Sequence, residues 1–432
     1  MKKLLTTLLI SSLALSLGAQ TNGSNSPYSR YGIGLLNNRA GAAATGMAGT
    51  GIAMRNNRDI NPLNAASFSA VDSLTFLFDA GMALQNGNLR ENGQSINAHN
   101  TSLDYVNIAF RAFKNLGVAA GIQPISTIGY EMKQSNTYWT STGEQTQTST
   151  YYGDGGLHAA YLGLGWQPVK GLSIGASGGY MWGEAVNAIT ATFSESSVSS
   201  RERSYNSHLH SYKLDFGLQY ALRVNKNHTL MLGMTYGLGH GMKGSASYYD
   251  TQGSLSGMVG DTIVVRNAFE WPHSFGVGLA WNYKEKLRVG FDYTLTKWGK
   301  CKVPNLESDG TAVVYRTRTG LLKDEHKFSA GAEYIAHPDG LRWYQLIRYR
   351  LGVAMRTPYT IIGDHDGPSS YLVSFGAAIP VINSYNTRCL VNIGAQYEHV
   401  RPKVSGMLKE HYLRICIGIT FNEMWFAKWK AE

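Results

Sequence analysis

Charge is scarce in this chain. Only 16 % of its 432 residues are Asp, Glu, Lys or Arg, against roughly a quarter in a soluble globular domain. Proline is limited to 11 residues, and the cysteines are Cys301, Cys389 and Cys416 alone. Three widely spaced thiols give neither a disulfide framework nor a zinc pattern. Beyond residue 20 no apolar run approaches the ~20 residues of a membrane-crossing helix. Mean hydropathy is −0.20, which also excludes a helical membrane protein. Basic residues outnumber acidic ones to give a formal charge of +10. They are scattered, with no block of five or more, so the pattern excludes a nucleic-acid site.

Glycine and tyrosine are abundant, at 49 and 26 residues, and hydrophobic residues reach 43 %. Aromatics at 11 % argue against a disordered chain. High Gly and Tyr with little charge suits pleated strands with one apolar face and one small or polar face. The N-terminus reads as an export signal over residues 1–19. Met1-Lys2-Lys3 is its charged start, residues 4–17 its apolar stretch, and Leu17-Gly18-Ala19 its cleavage site before Gln20. An exported chain without a spanning helix is periplasmic, secreted or an outer-membrane barrel.

From residue 71 to 421 the chain alternates. Tyr212, Leu214, Phe216, Leu218, Tyr220 and Leu222 share one face of a strand, while Lys213, Asp215, Gly217, Gln219 and Ala221 share the other. Fourteen such segments are expected, at about 74–82, 104–113, 116–124, 156–167, 171–182, 209–223, 229–238, 273–283, 287–298, 326–336, 345–357, 370–380, 388–399 and 408–421. Their connections are short and long by turns. Lys114-Asn115 and Val169-Lys170 are short; 83–103, 125–155, 183–208, 239–272 and 299–325 are long. That asymmetry, with ~10-residue dyad segments, predicts an all-β fold: a transmembrane antiparallel β-barrel of about 14 strands. An even strand number puts both chain ends on the periplasmic, short-turn side, with 422–432 as a tail. Trp166 and Trp281 at short-turn ends, and Trp182 and Trp298 at long-loop ends, read as interfacial girdles.

Residues 20–70 do not alternate. Small residues from Ala40 to Ala48 would let backbone approach backbone closely. With Leu35, Leu36, Met47, Ile52 and Met54 among them, the segment reads as a hatch or plug in the lumen; the bland reading is a periplasmic tail. On these features the sequence resembles the FadL-like outer-membrane transport family, in a Bacteroidota-type version by its start (Ser26 to Gly34) and its end (Ile419 to Phe426). The resemblance implies fourteen strands, an N-terminal hatch and a kinked third strand. The family's hatch element, Asn-Pro-Ala before strand one, fits in two registers. Asn61-Pro62-Leu63 keeps the Pro. Asn64-Ala65-Ala66-Ser67-Phe68 keeps Asn, Ala and an aromatic and lies at the better distance from strand one. In the third strand, Gly121 and Pro124 read either as the kink of a lateral opening or as the strand's end.

No catalytic arrangement is legible. His208 and His210 share a strand face with no third ligand beside them. Asp364-His365-Asp366-Gly367 is too poor in ligands for a calcium loop and reads as a turn. Neither metal nor cofactor is expected. The inward face carries Arg111, Lys213, Asp215, Arg288, Asp292, Glu333, Arg348, Arg350, Glu398 and Arg414. These charges would anchor the plug or line a polar route. The resemblance implies a passive transporter of hydrophobic small molecules in the outer membrane. The alternative is a non-transporting accessory barrel of an outer-membrane assembly or secretion complex. Its expected contacts are outer-membrane lipid and other outer-membrane or periplasmic proteins.

Overall fold

The computed structural model describes residues 24–424, apart from 39, 92, 141–142, 196–197, 255–256, 309–312, 382–388 and 405. The leader, and Trp425, Phe426 and Trp429 of the tail, lie outside the described residues. Fourteen strands form the wall: β1 (Thr75–Glu91), β2 (Gln94–Phe113), β3 (Leu116–Pro124), β4 (Gly143–Val169), β5 (Leu172–Phe193), β6 (Arg201–Arg223) and β7 (His228–Gly237), then β8 (Ser274–Tyr283), β9 (Leu287–Thr296), β10 (Glu325–Ile335), β11 (Arg348–Arg356), β12 (Ser369–Pro380), β13 (Leu390–Arg401) and β14 (Lys409–Met424). Each pairs antiparallel with the next, and β14 closes on β1 from Thr75↔Met424 to Arg90↔Lys409. Below the point where β2 and β3 part at Val106, closure leaves no sheet edge in the ring, which is the condition for strands to cross lipid.

The alternation read from the sequence is the wall's inside-outside pattern. On β6, Tyr212, Phe216, Leu218, Tyr220 and Leu222 are exposed outward, while Lys213 and Gln219 are buried. Short turns close one end. Asn115 sits at φ 64°, and Gly171 at φ 92°, in the left-handed region such tight turns need.

Above the other end the long connections are not loops. β1, β2, β4, β5 and β6 all run well past their expected boundaries. The ribbon Ser126–Thr140 extends the third strand alongside β4. Lys243–Ser254 adds to β6 and pairs with Gly257–Arg266, and Val303–Ser308 pairs with Val313–Arg318. This cap has its own core, including Leu157, Met181, Leu209, Met242, Phe269, Trp271, Trp298 and Tyr359. Trp298 departs from its expected place in the outer girdle. It is 1 % exposed and lies 5.7 Å from Trp271 and 5.1 Å from Tyr359, ring to ring. The 3-10 turn Trp298–Lys300 ends the β9 alternation and carries the indole into the cap core. Trp166 and Trp182 do face outward. At the chain's far end β14 continues to Met424, three residues beyond the expected boundary at Phe421.

Residues 24–72 run through the ring. They contain a 3-10 turn (Pro27–Arg30), one short α-helix, α1 (Ala42–Gly46), and a second 3-10 turn (Ala65–Ala70). Ser24 and Tyr28 bond near the long-loop end, to the Gly129 and Leu408 carbonyls. Ala65 and Phe68 pack at the short-turn end. Ser24 therefore lies at the opposite end of the barrel from Met424, because the segment threads the lumen lengthwise before entering β1.

Candidate functional site

Glycines on the inner wall set how close the segment comes. A Cβ on Gly117 would lie 1.9 Å from the Phe68 carbonyl oxygen, and one on Gly175 2.3 Å from the Ala65 carbonyl carbon. No other residue admits backbone at that distance. Asn61 and Asn64 make different contacts. Asn61 Nδ2 donates to the Gly51 and Met54 carbonyls, at 2.7 and 3.0 Å. Asn64 caps the 3-10 turn by accepting from the Ala66 N–H, and its Nδ2 donates to Ile52 O at 2.8 Å and Leu218 O at 3.2 Å. Asn61 thus ties the segment to itself, and Asn64 ties it to the wall. Pro62 follows Asn61 on the segment, while Ala65, Ala66, Ser67 and Phe68 are buried in the turn.

The inward charges meet the segment and one another. Asp292 Oδ2 accepts from the Gly51 and Ile52 N–H groups at 2.6 and 2.9 Å. Asp59 of the segment faces Arg348 at 3.3 Å and Arg350 at 3.6 Å. Glu333 takes Arg350 at 2.8 Å and Arg288 at 3.1 Å. Arg350 also donates to Asn392 (2.8 Å), Asn392 to Thr420 (3.0 Å), and Thr420 to Asp79 (2.9 Å). Lys213 pairs with Asp215, Arg414 with Asp104, and the Ser370 hydroxyl donates to Glu398. Arg111 donates to the Ser69 carbonyl at 3.5 Å. Side chains of Asp59, Glu333, Arg348 and Arg350 are all under 5 % exposed. Charges buried this deeply persist only when paired. Sequence reading missed Asp59, Asp79, Asn392 and Thr420. The last three sit at inward strand positions and were available from the alternation; Asp59 lies where no period exists.

The wall is broken at the third strand. β2 pairs with β3 only from Val106↔Ile122 down to Phe113↔Leu116. β3 ends at Pro124, which has no N–H to give, while Gly121 stays in the ladder against Asn107 and Tyr161. The Ile125 N–H turns to Leu157 O, and its carbonyl accepts from Asn37. Register against β4 then shifts by one residue, from Pro124↔His158 to Ile128↔Gly155. A cavity of about 390 Å³ lies at the break. It reaches from Arg414, Gln85 and Gln396 inside to His158, Trp182 and Glu184 outside, with Asp104 and Ser126 on its flanks.

Outside the lumen, Asp364-His365-Asp366-Gly367 forms a turn whose His365–Asp366 pairs with Ile361–Ile362. Hydrogen bonds from Lys403 and Lys323 hold the Asp366 carboxyl below the usual carboxylate range. His208 faces Glu184 at 3.1 Å. Among the described residues, no group of three or more His, Cys, Asp or Glu is placed to hold a metal ion.

A family model described as BamG matches residues 1–432. The chain belongs to the BamG family. No curated protein matches it. Among solved structures, this BamG-family barrel is similar to the toluene transporter TbuX of Ralstonia pickettii (TM-score 0.59, 13 % identity, 89 % of this chain and 98 % of that one). It is also similar to the P. putida toluene transporter TodX (0.58, 14 %, 90 % and 99 %) and to the monoaromatic hydrocarbon channel CymD (0.57, 15 %, 88 % and 97 %). Identities this low show a shared fold: a FadL-like, fourteen-stranded barrel.

Proposed function

We propose that this BamG-family barrel is a non-transporting accessory subunit of an outer-membrane assembly or secretion complex. The lumen carries the reading. Residues 24–72 fill it, fixed by Asn64, Asp292 and the Asp59 ion pairs, and act as a plug. A site for an apolar small molecule is a concave space lined mainly by apolar side chains. The cavity at the third-strand break is instead flanked by Asp104, Arg414, Gln85, Gln396 and Glu184. The cap above it is a packed β-structure rather than a set of mobile loops, and offers a large rigid surface to partner proteins. In this reading residues 1–19 direct export and the barrel sits in outer-membrane lipid, with its short turns in the periplasm.

The test is purification from native membranes in mild detergent. Stoichiometric outer-membrane or periplasmic proteins are expected to stay with the barrel; a barrel that emerges alone overturns the reading. A second reading, passive transport of a hydrophobic small molecule, is supported by the break at Pro124 and by the likeness to barrels named as toluene transporters. Cells lacking the chain would then take up an aromatic hydrocarbon more slowly, and a Pro124→Ala variant would restore uptake poorly.

A further inference from the structure

The third-strand break exposes backbone as well as a cavity. Above Val106, residues 94–105 of β2 have a ladder partner, among the described residues, only in β1. Beyond Thr127, the ribbon Ser126–Thr140 has a ladder partner, among the described residues, only in β4. Two strand edges thus diverge from the point where β2 and β3 part, and Thr101 to Asp104 on one side and Ser126 to Ile128 on the other line one cavity.

This chain already adds a strand to the second edge. Leu35–Leu36 pairs antiparallel with Ser126 and Thr127. Two residues on, the Gly129 N–H donates to Ser29 Oγ at 3.2 Å, and its carbonyl accepts from Ser24 Oγ at 2.9 Å. Both polar groups of Gly129 therefore point away from β4. With a strand period of two, those of Glu131, Lys133, Ser135, Thr137 and Trp139 point the same way. Residues 131–140 are exposed throughout. Their edge offers ~30 Å of evenly spaced donors and acceptors.

We propose that residues 131–139 form a strand-acceptor edge, which binds an extended segment of a partner protein by β-addition. Only a polypeptide backbone repeats donor and acceptor at that spacing, so the ligand class is an extended peptide segment. A second copy of this chain fits poorly: its own edge is joined to a barrel wall, and the β2 edge flanks the approach. A free segment enters the wedge that Leu35–Leu36 has begun to fill. The inference rests on the reading of the barrel as a partner-binding subunit.

The experiment uses the full chain isolated from native membranes with its associated proteins, compared with the same barrel stripped of them. Hydrogen exchange read residue by residue is expected to slow at least tenfold at Glu131, Lys133, Ser135, Thr137 and Trp139 in the complex. The intervening amides, already bonded to β4, should not change. A Lys133→Pro variant removes one edge donor and leaves the β4 ladder intact. It should retain at least tenfold less partner, while Lys133→Ala retains it fully. Partners that co-purify while the odd-numbered amides exchange equally fast in both states overturn the inference and leave the accessory-subunit reading standing. Edge protection in a homodimer, seen by native mass spectrometry, overturns the choice of partner. A barrel that carries no partner at all overturns both.

Discussion

Single inward side chains decide where the lumen segment rests. Asp292 is the clearest case, since one carboxylate oxygen holds two consecutive backbone N–H groups, at Gly51 and Ile52. Hydrogen bonds to a charged acceptor contribute about 1.5–3 kcal/mol each, and orphaned buried donors cost more than the mean bond. Asp292→Ala should therefore loosen residues 50–54 while the barrel stays folded. Limited proteolysis would detect new cleavage there, against an intact wall that still runs as a compact band without heating. A different expectation holds at Cys301. Burial in the cap pushes its thiol up to about 12. Since the thiolate is the nucleophile, a Cys389→Ser, Cys416→Ser variant, which keeps Cys301 as its one thiol, should label with maleimide at pH 8 only after unfolding; rapid labelling of that variant in its native state would contradict the cap's packing. Asp292 was legible in the sequence because it sits at an inward position of a clean alternation. Its partners were not, because backbone N–H groups in a segment without periodicity leave no trace in residue identities. Trp298 shows the same limit from the other side. An indole at a strand end suits a lipid girdle or a core, and only the turn that follows, Trp298–Lys300, decides between them.

Elements of the wall were readable wherever one face meets lipid and the other does not. β6, β8, β9 and β14 keep strict alternation across the band, and their registers follow from it. The cap strands were unreadable for a physical reason. Residues 131–140 are exposed on both faces, so no contrast between faces exists to mark a strand, and long polar runs pass for loops. The 3-10 turn Ala65–Ala70 was likewise visible only as a short motif around Asn64. Its seat is made by the wall, through the glycines of β3, β4, β5 and β6. Gly175→Val places a side chain where the Ala65 backbone lies. A close-packed site cannot absorb that volume, so the turn must leave the wall. The expected result is protease cleavage near residues 65–70 with strand content unchanged by circular dichroism. Gly394→Ala is the matched control, because the nearest atom to a Cβ there is 3.5 Å away; it should behave as the parent.

Across the whole molecule, the segment and the wall form one electrostatic unit. Arg288, Arg348 and Arg350 face Glu333 and Asp59, and only Asp59 comes from the segment. Breaking a buried pair by removing one partner costs about 3–5 kcal/mol, because the other charge is left desolvated. Glu333→Gln strands three arginines opposite a single carboxylate, and should lower the thermal midpoint of the barrel markedly. Deleting residues 24–70 has the opposite character. It removes Asp59 but also opens the lumen, so the arginines and Asp292 regain water instead of being left dry. Barrels of about eight strands are filled by their own side chains, whereas those of 16–18 strands leave an aqueous channel. Fourteen strands with glycine at many inward positions fall between, and this lumen is closed by what occupies it. The deletion variant should therefore fold, and conduct ions in a planar bilayer in discrete steps at least tenfold larger than any shown by the full chain. A silent deletion variant with native strand content would mean that the cap, not the segment, seals the barrel. The accessory-subunit reading would then need a different source of closure. Conduction restored to the parent level by adding residues 24–70 as a separate chain would show that the segment's bonds to Gln219, Asp292 and Arg348, rather than its covalent link to β1, hold it in place.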